Sequence, residues 1–225
     1  MKAVLFDVDF TLIYPGARFD AEGYEAFGRQ HGLSVDRARF QDAVAAAAPE
    51  LEVGTDPTYR PEMFVRYVRR LFEEMGGGGP GLDACAREVY DEWAACRHFS
   101  LYDDVRPVLE QLHARGLRLG LVSNTHRCLD TFRSHFELDP FIAAGVSSSD
   151  HGYMKPHPSI FEAALEALEV DAGDAVMVGD SLSHDVGGAR TVGMHAVLLD
   201  RTGEATDTPP EVPVITTLRA LADVV

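Results

Sequence analysis

The segment Ala3-Val4-Leu5-Phe6-Asp7-Val8-Asp9-Phe10-Thr11 decides how the rest of the chain is read. Four apolar residues in a row have the length and continuity of a strand buried on both faces of a parallel sheet. Two carboxylates follow at alternate positions, and alternate positions of an extended chain share a face. Like charges held that close at the mouth of a buried strand repel unless a cation or a shared proton relieves them. The segment therefore reads as a central strand that delivers Asp7 and Asp9 to a charged site.

Working outward, the chain from Leu117 onward alternates short apolar runs with helical patterns, the signature of βα units and a parallel sheet. Strands are expected at 117–122, 142–146, 175–178 and 196–199. Helices are expected at 125–136, 158–168 and 183–192, with Pro158 suited to a first helical turn. Between Pro15 and Ser100 the periodicity is helical instead, and predicts helices at 21–31, 35–48, 61–75 and 82–97. The turn-prone stretch Gly54-Thr55-Asp56-Pro57 and the run Gly76-Gly77-Gly78-Gly79-Pro80-Gly81 join them, the second expected to be a flexible connector. The predicted fold class is α/β: a Rossmann-like parallel-sheet core built from residues 1–14 and 101–225, with an inserted α-helical domain at 15–100.

A chain of 225 residues, 46% hydrophobic and 25% charged, is long enough to bury its own core. No apolar run approaches the roughly 20 residues that span a bilayer. The acidic pair interrupts the first apolar run at once, so no secretory signal is read there and a cytoplasmic location is expected. A formal net charge of −16 opposes binding to nucleic acid or to an anionic membrane. A small phosphorylated substrate remains compatible, given a local positive site. Cys85, Cys96 and Cys128 are too few and too scattered for a disulfide framework, and are expected as reduced, partly buried thiols. Only Lys2 and Lys155 among the twenty lysines and arginines are lysine, which makes Lys155 conspicuous.

Four polar clusters lie at or near expected strand ends: Asp7-Val8-Asp9-Phe10-Thr11, Ser123-Asn124-Thr125, Lys155-Pro156, and Gly179-Asp180-Ser181-Leu182-Ser183-His184-Asp185. Parallel sheets gather ligands at the carboxyl ends of their strands. Phosphoryl transfer needs a nucleophile, a proton donor for the leaving oxygen, and positive charge on the non-bridging oxygens. One carboxylate can attack phosphorus and the other can exchange protons. Mg²⁺, which favours hard oxygen ligands, can bridge Asp7, a phosphate oxygen and Asp180. Lys155 is a compact cation for phosphate, and Thr11 and Ser123 offer hydroxyls.

In order and spacing, Asp7-x-Asp9-x-Thr11, Ser123-Asn124, Lys155 and Gly179-Asp180-x-x-x-x-Asp185 resemble the four motifs of the haloacid dehalogenase superfamily of hydrolases, over almost the whole chain. Within it, residues 117–129, Lys155-Pro156-His157-Pro158-Ser159-Ile160-Phe161 and Val192-Gly193-Met194-His195 look most like the group of haloacid dehalogenase-like hydrolase domain-containing protein 3. The resemblance implies Asp7 as nucleophile, Asp9 as general acid/base, and Lys155, Ser123, Asn124 and Thr11 as substrate-binding groups. It implies Mg²⁺ held by Asp7, the backbone carbonyl of Asp9, Asp180 and Asp185. The helical insertion resembles the cap domain of one branch. Many members carry Gly, Asp or Asn where Phe10 stands, so this chain departs from the pattern beside the nucleophile.

The activity implied is a Mg²⁺-dependent phosphatase acting on a small phosphorylated metabolite through an aspartyl-phosphate intermediate, as monomer or homodimer. A phosphomutase, or a binding module without turnover, is the alternative. Haloacid dehalogenation is disfavoured by Asp9, since members with that activity lack this carboxyl. Phosphonate hydrolysis by Schiff base is disfavoured because residues 15–100 contain no lysine. The spacing of His126, His157 and His184 matches no familiar zinc set. Asn124 is also expected to open a helix. Arg66, Arg69 and Arg70 form a basic helix face, and Tyr14 is the aromatic residue expected nearest the pocket.

Overall fold

The first apolar run forms β1 (Ala3–Phe6), with all four residues buried. β1 lies inside a six-stranded parallel sheet of order β5-β4-β1-β6-β7-β8, whose other members are β4 (Arg118–Ser123), β5 (Ile142–Ser147), β6 (Ala175–Gly179), β7 (His195–Leu199) and β8 (Val214–Ile215). Leu5 stands level with Gly120 on one neighbour and Met177 on the other. The computed structural model describes residues 1–225 except 53, 55, 204, 206 and 207. Thr55 of the expected turn at 54–57 lies outside the described residues.

Two compact units divide the chain: Met1–Tyr14, Pro57–Tyr59 and Leu101–Val225 in one, Pro15–Asp56 and Arg60–Ser100 in the other. The chain leaves the first along β2 (Ile13–Pro15) and re-enters it along β3 (Phe99–Leu101), two short strands that pair with each other. Nothing in the sequence assigns the strip Pro57–Tyr59 to the sheet unit, yet it is held there by backbone hydrogen bonds from Tyr59 to Gly152 and from Met154 to Pro57.

The helical unit contains α1 (Ala21–Gln30), α2 (Phe40–Ala47), α3 (Pro61–Glu74) and α4 (Leu82–Glu92). Asp20 caps α1 through the Gly23 N–H, and Pro61 opens α3 at the position where its missing N–H is harmless. These helices close on Phe27, Val68, Leu71, Phe72, Met75 and Val89. The Gly76–Gly81 run is not a slack connector but a fitted turn between α3 and α4. Gly76 and Gly79 have φ of +93° and +123°, and a Cβ on Gly81 would stand 2.1 Å from the His31 carbonyl oxygen. Glycine is required there by sterics.

In the sheet unit, α5 (Val105–Ala114) was not foreseen, although Val105, Val108, Leu109 and Leu112 are buried at helical spacing. The unit continues with α6 (Leu129–His135), α7 (Ser148–His151), α8 (Pro158–Leu168) and α9 (Gly188–Thr191). α8 has the expected bounds and packs Ile160, Phe161, Ala164, Leu165 and Leu168 into one cluster with Leu5, Val122 and Met177. Each of these side chains larger than alanine contributes about 1.5–3 kcal/mol when withdrawn from water, before entropy is charged against it.

Several helices are shorter than expected. α6 begins at Leu129 rather than Thr125 because tertiary hydrogen bonds take the groups a first turn would need. The Thr125 carbonyl accepts from Ser149 N–H, and its Oγ1 accepts from Arg127 N–H. A 3₁₀ turn at Arg37–Arg39 precedes α2, and α4 gives way to one at Cys96–His98. The segment expected as one helix at 183–192 divides into a π-helix at Leu182–Gly187 followed by α9. Cys85 and Cys96 are buried and Cys128 is exposed, and none of the three is in a disulfide. Among the described residues no helix is long and apolar enough to cross a membrane.

Candidate active site

Adjacent parallel strands end in register, and that brings distant carboxylates together. The Asp7 N–H continues the ladder beyond β1 by donating to the Val178 carbonyl at 2.9 Å, which puts Asp7 beside the end of β6 and the turn bearing Asp180. Ligand oxygens of Asp7, Asp180 and Asp185 all lie within 4.8 Å of one another. The π-helix sets Asp185: the N–H groups of both Asp185 and Val186 reach back to the Ser181 carbonyl. This wider turn lets the Asp185 carboxylate accept from the Ser181 N–H at 3.0 Å. A Cβ on Gly179 would fall 2.2 Å from Asp185 Oδ2, so the strand must end in glycine for this carboxylate to tuck in.

Lys155 Nζ donates to Asp7 Oδ1 and to Asp185 Oδ1, each at 2.6 Å, and all three groups are buried. Burial by itself works to discharge the lysine, but Asp185 and Asp7 overcome it and hold the ammonium above its ordinary value. For Asp7, burial is the largest influence and raises its pKa; Lys155 opposes it, and the charges of Asp185 and Asp9 reinforce it. Asp180 is open to solvent on one side, yet it too is raised, first by the protein around it and then by Asp7 and Asp185. Three carboxylates around one ammonium leave an excess of negative charge. Hard oxygen donors at this spacing fit a divalent cation.

Asn124 does not open a helix. Its amide brackets the backbone of Lys155, with Nδ2 donating to the Lys155 carbonyl at 3.0 Å and Oδ1 accepting from the Lys155 N–H at 2.7 Å. Ser123 ends β4 and is buried. Thr11 is wholly buried; its Oγ1 has no hydrogen-bond partner among the described residues, and its carbonyl accepts from Arg201 at 2.7 Å. Asp9 stands outside the cluster of three carboxylates, partly exposed, with both oxygens 3.1 Å from Nη1 of Arg127. Phe10 is 55% exposed and has φ of +61°.

Arg127, 2% exposed, is the residue that sequence reasoning missed. Its only signal was its place in the segment after Ser123-Asn124. Among the histidines, His157 caps α8 by accepting from the Ser159 N–H. Arg66, Arg69 and Arg70 pair with Glu50, with Glu73 and Asp83, and with Glu74, all in the helical unit. Tyr14 is exposed and rests against Tyr102, ring centroids 4.9 Å apart.

A family model described as haloacid dehalogenase-like hydrolase matches residues 1–193. The chain belongs to the haloacid dehalogenase-like hydrolase family. Relatives of this hydrolase include the glyceraldehyde 3-phosphate phosphatase of Pyrococcus abyssi, 41% identical over 88% of this chain and 80% of that protein. Another is haloacid dehalogenase-like hydrolase domain-containing protein 3 of Danio rerio, 31% identical over 94% of this chain and 91% of that one. Among solved structures, the HAD phosphatase from Thermococcus onnurineus aligns with a TM-score of 0.69 at 27% identity, covering 100% of this hydrolase and 97% of that chain.

Proposed function

We propose that this hydrolase is a Mg²⁺-dependent phosphatase that removes the phosphoryl group of a small phosphorylated metabolite through an aspartyl-phosphate intermediate. The observation that carries the reading is the buried Asp7–Lys155–Asp185 triad with Asp180 beside it and Asp9 two residues after Asp7. The likeness to a glyceraldehyde 3-phosphate phosphatase supports a small sugar phosphate as substrate.

Asp7 is the nucleophile, fixed by Lys155 and by its own N–H in the β1–β6 ladder. Its oxygen bonds to phosphorus as the bond from phosphorus to the leaving oxygen breaks, and Asp9 gives that oxygen its proton. Water then bonds to the same phosphorus, its proton passes to Asp9, and the Asp7–phosphorus bond breaks to release inorganic phosphate. Lys155 offsets charge around the nucleophile, with Ser123 and Thr11 assigned to the phosphate oxygens and Asn124 to the placing of Lys155. Asp7, Asp180, Asp185 and the Asp9 carbonyl are the groups that would hold Mg²⁺, which supplies Lewis-acid stabilisation of phosphoryl charge when bound. In this reading residues 15–100 serve as the cap that selects the substrate, and the enzyme works in the cytoplasm as a monomer or homodimer.

The test is a panel of phosphorylated metabolites, sugar phosphates included, assayed with Mg²⁺ alongside Asp7→Asn. Turnover should vanish in the variant and on chelation of the metal. A wild type that is folded and metal-loaded yet inactive across the panel would sink the reading, and an aspartyl phosphate trapped in that case would favour a phosphomutase.

A further inference from the structure

We propose that Arg127 is a positioning residue that aims the Asp9 carboxyl, an inference that rests on the phosphatase reading of the same site. A guanidinium almost wholly removed from water is costly unless it is paired. Here it is paired with the group assigned to both proton transfers: Nη1 lies 3.1 Å from each oxygen of Asp9. A single donor shared equally by two oxygens fixes the direction in which the carboxyl points. It also leaves lone pairs on both oxygens for exchange with a leaving group or water.

Asp9 needs such a partner because its surroundings confine it little. Its side chain is 33% exposed, on a turn continued by Phe10 in the left-handed region. Arg127, in contrast, is held from behind. Its N–H donates to Thr125 Oγ1 at 3.1 Å, and the Thr125 carbonyl is fixed by Ser149 N–H at 3.2 Å, at the start of α7. The end of β4 and the loop after it thus carry Ser123, the clamp on Lys155 and the support for Asp9 in five consecutive residues. A proton donor acts only within about 2.6–3.2 Å of its target. A misplacement of roughly 1 Å can cost about 10²-fold in rate.

The role is tested by single-turnover release of the leaving group, with enzyme in excess, from two probes: glyceraldehyde 3-phosphate, whose alkoxide needs a proton, and 4-nitrophenyl phosphate, whose leaving group does not. Arg127→Met should slow the first about 10²-fold and the second less than about 3-fold. Arg127→Lys, which keeps a donor and a charge, should recover part of the loss. With Asp9→Asn already in place, Arg127→Met should add nothing on the first probe. Equal slowing of both probes, or a full additional loss in the Asp9→Asn background, would overturn the positioning role while leaving the phosphatase intact. If glyceraldehyde 3-phosphate is not turned over, the alkyl phosphate of the panel that is turned over fastest takes its place in both comparisons, and a wild type inactive on 4-nitrophenyl phosphate and on the whole panel would overturn the phosphatase reading and this role with it. If Arg127→Met fails to fold by circular dichroism, Arg127→Lys carries the same two comparisons.

Discussion

Phe10 shows how the sequence can single out a residue without disclosing what is unusual about it. The resemblance marks it as unusual, because it implies Gly, Asp or Asn as the common choice at the position after Asp9. The reason is a φ of +61°, a conformation that crowds the Cβ of most residues and costs about 1–2 kcal/mol. Its ring is more than half exposed, so little packing offsets that strain. Phe10→Gly should therefore raise stability by about 0.5–1 kcal/mol in urea unfolding despite the loss of a large apolar side chain. A loss of stability would mean that the ring packs more tightly than its exposure indicates. At this scale Asp7, Asp9, Asp180 and Asp185 could be read because each stands at a fixed spacing from a strand end or from another carboxylate, and Lys155 because it is one of only two lysines and falls in the order of the motifs. Arg127 could not, because nothing local distinguishes an arginine that will be buried on Asp9 from one that will face solvent.

At the scale of elements, strands were easier to read than helix ends. Apolar continuity located β1, β4, β5, β6 and β7 to within a residue. Helix starts depend on where backbone groups find partners, and those around Thr125 found them in α7 rather than in a helical turn. The π-helix after β6 is likewise a product of its surroundings, set by Asp185 reaching both Ser181 N–H and Lys155. Gly179→Ala tests that arrangement. The added methyl would overlap the Asp185 carboxylate and push it off Lys155. The expected cost is about 3–5 kcal/mol in urea unfolding at pH 7, the range for a broken buried ion pair, with turnover lost. Near-native stability would show that β6 can shift to admit the methyl.

Over the whole molecule, the least legible feature is the network around Asp104, which joins four separate stretches of chain. Asp104 accepts from both Arg201 Nη groups at 3.0 and 3.1 Å, from Thr217 Oγ1 at 2.7 Å and from Leu218 N–H at 2.8 Å, while Arg201 also donates to the Thr11 carbonyl. Burial opposes its charge, but these partners outweigh burial and hold its pKa below 3.8. A carboxylate depressed on folding contributes stability that is complete above its unfolded pKa and is lost as pH falls through the folded value. Asp104→Ala should therefore cost about 3–5 kcal/mol at pH 7, and the gap to wild type should narrow below about pH 4. A gap that does not change with pH would show that packing, not charge, is what the variant removes. By itself the sequence determined the α/β class, the positions of five of the eight described strands and the five charged residues on which the proposed chemistry rests, because apolar runs and motif spacings are local properties, whereas the short strands β2, β3 and β8 carry too few residues to stand out. Only the tertiary structure decided that Arg127 meets Asp9, that Asn124 clamps Lys155 and that Asp104 gathers Arg201 and Thr217. Each of those pairings spans 31 to 118 residues of chain, and its strength comes from burial that only folding creates.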